Sequence, residues 1–168
     1  MKKVILLSAA VLLLSLPAMA GPEKVLFPLY QTHVLITIVD RSDIKEVREV
    51  YATPEATRTA RAGRAVPSGT VLTMVHFKAR VNDKGELVKD PNGRLVKGEL
   101  DRISVMEKRA GWGAEYPENI RNGEWEYALF RADGARNETA NVKACFECHK
   151  PKGSQDFIFK TEELKASR

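Results

Sequence analysis

The stretch from Gly69 to Phe130 constrains the fold most strongly, because it combines β-branched runs with closely spaced turn signals. Residues 70–81 read TVLTMVHFKARV and are dominated by side chains that favour strands. Two turn sequences, at 82–85 and 90–93, flank the short segment ELVK and indicate hairpins. Two further segments alternate apolar and polar side chains and are predicted to be strands: residues 100–109 and 124–132. This pattern excludes a bundle of four long amphipathic helices.

The segment before this stretch predicts one strand and one helix. Residues 33–39, HVLITIV, form a β-branched run of strand length that ends at a polar cluster. Residues 53–62 have Thr53 as a candidate N-cap and Pro54 at the first helical position, and they predict a helix. Between them, residues 44–51 fit a helix and a strand equally well.

The C-terminal part predicts a helix and a short strand. The polar residues 137–139 can cap a helix from Ala140 to Lys150, which Pro151 would stop. Residues 156–159, DFIF, predict a last strand. The chain is therefore expected to have an α+β fold, with a mainly antiparallel β-sheet and two or three short helices.

The first twenty residues have the pattern of a secretory signal peptide. Two lysines precede an apolar run from Val4 to Leu16, and Ala18-Met19-Ala20 supplies a small-x-small cleavage site. The run is too short to span a bilayer, although a retained N-terminal anchor is the alternative. We expect residues 21–168 to form a single domain that is exported, in a bacterium, to the periplasm.

The charge and hydropathy of the chain do not predict a nucleic-acid or a membrane partner. The net charge is +5 at pH 7 and falls to +3 without the two leader lysines. Basic residues are interspersed with glutamates, so the sequence does not predict a nucleic-acid partner. No other hydrophobic segment approaches eighteen residues, and no membrane partner is expected.

Both cysteines of the chain lie in one motif, Cys145-Phe146-Glu147-Cys148-His149. This Cys-x-x-Cys-His spacing is the attachment signature of c-type haem: on one helical turn two thiols reach both vinyl groups, and the histidine reaches the iron. One haem c, bound through Cys145 and Cys148 with His149 as iron ligand, is therefore predicted. The motif also fits three alternatives less well: a thioredoxin-like redox pair, a structural zinc site and a plain disulfide.

An electron carrier needs a sixth iron ligand, and the exported chain offers few candidates. The methionines are Met74 and Met106, and the other histidines are His33 and His76. In such positions methionine is more often core filler than an iron ligand, and His33 at the start of a strand is expected to be a structural residue. An iron with an open distal face, suited to small ligands, therefore stays as plausible an interpretation as a six-coordinate one.

The chain resembles the cytochrome P-460 family and its relative cytochrome c-prime-beta. The resemblance lies in five segments in order: VREVYATPEA, VPSGTVL, VMEKR, GEWEYALF and CFECHKPKGSQDFIF. It implies a mainly antiparallel β domain, usually a homodimer, with His149 as proximal ligand and an open distal pocket. Members of the family either oxidise hydroxylamine and bind nitric oxide, or bind nitric oxide and related diatomics without turnover.

The resemblance also bears on the choice between these two activities. The hydroxylamine-oxidising members share GTVxVK, whose lysine is covalently tied to the haem, and Met74 stands at that position here. Lys78 lies about 13 Å further along the strand, too far to substitute. We therefore expect nitric oxide binding, with a periplasmic electron donor or acceptor, and we expect Leu72 and Met74 to line the distal pocket, together with His76.

Hydroxylamine oxidation is the alternative function. Glu126 falls at a pocket position of the enzymes in the resemblance and would serve as a catalytic base. An alternating strand also places such a glutamate on the protein surface. A six-coordinate electron carrier with Met74 or His76 as sixth ligand is the third hypothesis.

Overall fold

The computed structural model describes residues 24–167. The predicted signal peptide, residues 1–20, lies outside the described residues. The described chain folds around one five-stranded antiparallel sheet, in which neighbouring strands follow the order of the sequence. The strands are β1 (Val34–Arg41), β2 (Glu46–Ala52), β3 (Val71–Ala79), β4 (Lys97–Lys108) and β5 (Trp125–Arg131).

Three short helices accompany the sheet: α1 (Pro54–Arg61), α2 (Val142–His149) and α3 (Thr161–Ala166). The predicted α+β class is confirmed, and the cysteine motif lies on the C-terminal helix α2. The ambiguous octet 44–51 belongs mainly to β2, because that segment pairs with β1 on one side and with β3 on the other. Pairing on both edges decides a segment whose local pattern fits helix and strand alike.

The two faces of the sheet have different coverings. Along β3, Leu72 belongs to a buried cluster with helix residues such as Ala56, Phe146 and Leu164. Val75, three residues later and of opposite parity, packs instead in a cluster with Ile103 and other residues. Since successive side chains of a strand point to opposite sides, we call the first side the helix face and the second the opposite face.

A bulge lies in β4 near Asp101, between the partners of His76 and Phe77. It does not turn Phe77 to the helix face, because Phe77 packs against residues of the clusters on the opposite face. The two turn sequences form hairpins outside the named strands, with bridges between Val81 and Leu87 and between Lys89 and Leu95.

Two local predictions near the C-terminus are wrong. Residues 156–159 do not form a strand, because Asp156 and Phe157 adopt left-handed backbone angles with φ of 52° and 61°. The cap of α2 is Asn141, whose side chain accepts a hydrogen bond from the Ala144 amide, rather than a residue in 137–139. Among the described residues, no helix has the length and apolar character needed to cross a membrane.

Candidate haem site

The helix α2 is fixed to the sheet by Phe146, in the middle of the motif. Its side chain is buried and packs against Tyr116 and Tyr127, with ring centroids 4.8 Å and 4.7 Å away. Buried Asn122 donates a hydrogen bond of 2.9 Å to the Phe146 carbonyl. The motif therefore sits on a rigid base, which is what a preorganised ligand set requires.

Both motif cysteines are free thiols on one side of α2. Cys145 is half-buried against the helix-face cluster, and Cys148, one turn later, is exposed. Burial raises the pKa of the Cys145 thiol. Cys145 and Cys148 are the fourth and seventh of the eight residues of α2, whereas a thioredoxin-like pair places its nucleophile at the helix N-terminus. The geometry therefore does not favour redox exchange at these thiols.

One ring nitrogen of His149 is hydrogen-bonded, and the other is available to a metal. Its Nδ1 lies 2.7 Å from the carbonyl oxygen of Phe157. A carbonyl can only accept, so Nδ1 carries the proton and Nε2 keeps its lone pair. Burial lowers the pKa of His149, which favours the neutral ring that a metal requires. Two aromatic rings contact the imidazole, with ring centroids 5.1 Å away for Tyr127 and 4.9 Å away for Phe159.

The carbonyl that orients His149 belongs to a strained turn, and Asp156 holds that turn in place. The Asp156 carboxylate accepts 2.7 Å from Lys108 Nζ and 3.3 Å from Trp125 Nε1. Left-handed backbone at non-glycine residues costs free energy and persists only where surrounding contacts enforce it. Two strands thus fix the loop that sets the orientation of the histidine.

Beside the motif, the helix face of the sheet changes from buried to open. Ala52, Leu72, Met106 and Tyr127 pair across four strands and are nearly fully buried, and we call them the covered row. Two residues away on each strand, all in the same direction across the sheet, lies a second set that is only half-buried. We call it the open row: Val50, Met74, Ser104 and Leu129. Largely apolar and accessible, the open row suits a flat hydrophobic group.

A polar network follows beyond the open row. His76 is 4% exposed, with Nε2 at 2.9 Å from Ser104 Oγ and Nδ1 at 3.3 Å from Glu46 Oε2. Arg48 and Arg102 donate to the same Glu46 carboxylate, at 2.7 Å and 2.5 Å. Both ring nitrogens of His76 are therefore engaged, and coordination of a metal by this residue would break one of these bonds.

This network should make the protein acid-sensitive. Burial, reinforced by the nearby charge of Arg102, lowers the pKa of His76 from 6.5 to about 4. The unfolded chain therefore binds a proton at a pH where the folded chain does not, and stability must fall between these two values. We expect a loss on the order of 2–3 kcal/mol as the pH falls from 7 to 4, measured by urea unfolding.

The control is His76→Gln, which removes the titrating group and keeps a polar side chain. Its free energy of unfolding should depend less steeply on pH, with the remaining slope due to His33, whose pKa is lowered by burial, and to Glu46, whose pKa is lowered by its arginine partners. Equal slopes in the variant and the unsubstituted protein would contradict this explanation.

The structure brings together only part of the sequence-predicted site. Leu72 lies in the covered row, packed with the helix-face cluster, and Met74 lies beside it in the open row. Glu126 is fully buried but has the parity of Ala128, which packs in the cluster on the opposite face. It therefore lies on the other side of the sheet from Tyr127, which contacts His149, and the structure does not bring Glu126 to the motif.

The remaining candidates for metal or haem bonding are Met106, His33, Lys78 and Lys108. Met106 is buried in the helix-face cluster, and His33 precedes β1 with its Nδ1 buried without a hydrogen-bond partner. Lys78 is mostly exposed and lies 3.6 Å from Glu99, while Lys108 is held by Asp156. Within residues 24–167, no three metal-binding side chains come together, so the described residues do not form a protein-only metal site.

Sequence reasoning missed the residues that support the motif. Asp156 and Phe157 gave no signal beyond their place after the motif, and Ser104 and Glu46 lie 28 and 30 residues from His76 in sequence. The donor set itself fits a haem: a neutral imidazole with one lone pair, two thiols one helical turn apart, and an open apolar row nearby.

The comparisons with known proteins agree with this geometry. The family model described as Cytochrome P460 matches residues 29–160, which includes the whole sheet and the motif helix. No curated protein matched the chain significantly. A match over most of the chain, with the motif on α2, shows that the chain belongs to the cytochrome P460 family, which implies a haem cofactor.

Proposed function

We propose that the protein is a mono-haem c-type cytochrome that binds nitric oxide or a related small nitrogen compound. Cys145 and Cys148 would attach the haem, and His149 would be the only protein ligand of the iron. The observation that supports this most directly is the hydrogen bond from His149 Nδ1 to the Phe157 carbonyl, which leaves the Nε2 lone pair for the iron. The haem supplies the redox-active iron, and the protein supplies its attachment and its surroundings.

The surroundings favour a vacant sixth position. His76 has both ring nitrogens hydrogen-bonded, and Met106 is part of the packed core. Within the open row, Met74 is the candidate for a sixth iron ligand, and the electron-carrier alternative depends on it. Nitric oxide is small and neutral, so an apolar surface such as Met74 and Leu129 accommodates it without a charged partner.

Hydroxylamine oxidation is the second candidate function. The enzymes of the family that the chain resembles carry a lysine where Met74 stands. The predicted base, Glu126, lies on the opposite face of the sheet. Both observations favour binding over turnover, and neither depends on the other.

The setting of this function is also proposed. Covalent haem attachment takes place outside the cytoplasm, which agrees with the secretory pattern of residues 1–20, and a periplasmic electron donor or acceptor would set the oxidation state. Homodimer formation is part of the same proposal. Strand β1, at one end of the sheet, presents half-exposed Leu35 and Ile38, at 43% and 39%, which a second copy could cover.

The test is a titration of the purified ferrous protein with nitric oxide, followed by absorbance. We expect a stoichiometric change of the Soret band, and no sustained oxidation of hydroxylamine when an artificial electron acceptor is supplied. Sustained turnover would overturn the preference for binding and restore the enzyme hypothesis. A spectrum unchanged by nitric oxide would contradict the proposed function itself.

A further inference from the structure

Three side chains on the helix face form a continuous hydrogen-bonded chain. Ser104 Oγ lies 2.9 Å from His76 Nε2, and His76 Nδ1 lies 3.3 Å from Glu46 Oε2. They come from three neighbouring strands, β4, β3 and β2, and the pairing registers place all of them on the helix face. Only Ser104 belongs to the open row, so the chain runs from that row to the charged edge of the network.

The direction of the hydrogen bonds in this chain is fixed at its far end. Burial of Glu46 opposes its ionisation, but the hydrogen bonds from Arg48 and Arg102 outweigh it and lower its pKa to about 2. An ionised carboxylate only accepts, so His76 Nδ1 carries the proton and donates to it. The neutral ring then has a lone pair at Nε2, and the Ser104 hydroxyl must donate its proton there.

The arrangement resembles a Ser-His-acid triad but lacks what acyl transfer requires. Strand β4 is paired on both sides, with β3 and β5, so the backbone amides around Ser104 are engaged in the sheet. Such a serine has no pair of free amides to stabilise an oxyanion. The chain therefore orients the hydroxyl, and hydrolysis is not its role.

We propose that Ser104 acts as a fixed hydrogen-bond acceptor for the distal ligand and favours ligands that carry N–H or O–H groups, such as hydroxylamine. With its proton committed to His76, the serine oxygen presents only lone pairs to the open row. A ligand with a proton to donate gains a hydrogen bond there, whereas nitric oxide or carbon monoxide gains none. This inference rests on the proposed open coordination position.

The experiment compares ligands with and without a donor group in the intact, haem-loaded protein. Hydroxylamine is mixed rapidly with the ferric protein and its initial binding phase is recorded, and carbon monoxide is titrated into the ferrous protein. In Ser104→Ala the hydroxylamine affinity should fall about fivefold to tenfold, the equivalent of one hydrogen bond. The carbon monoxide affinity should change less than about twofold, since no hydrogen bond is lost.

Two further variants separate orientation from mere packing. Ser104→Thr keeps the hydroxyl and should bind hydroxylamine like the unsubstituted protein. His76→Leu keeps Ser104 but removes the ring nitrogen that accepts its proton, so the hydroxyl is free to turn and donate towards the open row. The preference for hydroxylamine over carbon monoxide should then fall as it does in Ser104→Ala.

The outcomes distinguish this inference from the proposed function. If the unsubstituted protein binds neither ligand, both the open position and the role of Ser104 are overturned. If it binds both, but Ser104→Ala changes the two affinities equally or changes neither, the inference alone is overturned. A loss of preference in Ser104→Ala that His76→Leu does not share would refute the fixed orientation of the hydroxyl.

Discussion

Replacing both Cys145 and Cys148 with serine is expected to abolish covalent haem attachment, because these are the only two cysteines in the chain. The protein should be produced in a host that matures c-type cytochromes. Haem staining after denaturing electrophoresis should then fall to background, and the intact mass should equal that of the polypeptide alone. Each single variant, Cys145→Ser or Cys148→Ser, should keep one attachment point and therefore part of the covalent haem.

Glu147→Ser is the matched control, because Glu147 lies between the two cysteines on α2 and is exposed. It should stain like the unsubstituted protein. Circular dichroism of the double variant distinguishes loss of haem from loss of fold. This check is needed because Cys145 packs against the core, so its replacement also changes the packing there. Covalent haem in the double variant would contradict the assignment of these thiols.

Asp156→Ala is expected to weaken both the fold and the position of His149. It removes the acceptor for Lys108 and Trp125 and leaves a left-handed residue without the contacts that hold it. We expect the free energy of unfolding to fall by about 2–3 kcal/mol. The haem reduction potential should shift as well, because the Phe157 carbonyl that orients His149 loses its anchor.

Asp156→Asn is the informative control for this prediction. Asparagine tolerates left-handed backbone and can still accept from Trp125 Nε1, but it lacks the charge that pairs with Lys108. Its stability should lie between those of Asp156→Ala and the unsubstituted protein, with a smaller shift in potential. A stability loss in Asp156→Ala without any change in potential would show that Asp156 serves the fold and does not position His149.

The sheet was predictable because its strands carry local signals. The β-branched run at 33–39 and the alternation at 100–109 predict strands without tertiary information, and the structure has strands there, at Val34–Arg41 and Lys97–Lys108. The octet 44–51 could not be decided in the same way, because its pattern fits two periodicities and only pairing with β1 and β3 resolves it.

The turn at 156–159 shows where local propensity fails. Two aromatic residues and an isoleucine favour a strand, but the chain instead uses Asp156 and Phe157 in left-handed conformations to aim a carbonyl at His149. Such strain occurs where a site requires it and where distant residues, here Lys108 and Trp125, enforce it. No local pattern contains that information.

The candidate site was predictable only in its covalent part. Spacing alone identifies Cys145, Cys148 and His149, because attachment depends on neighbours within one helical turn. The placement of Glu126 depends on which parity of β5 faces the motif helix. Alternation divides the side chains of β5 into two sets but does not tell which set faces the helix. In the structure Tyr127, and not Glu126, faces the motif helix.

The absorption spectrum of the purified protein, in both oxidation states and before any ligand is added, tests the central claim most directly. If His149 is the only axial protein ligand, both the ferric and the ferrous spectra should be high-spin. A low-spin spectrum typical of histidine–methionine or bis-histidine iron would contradict the vacant position and leave an electron carrier in its place.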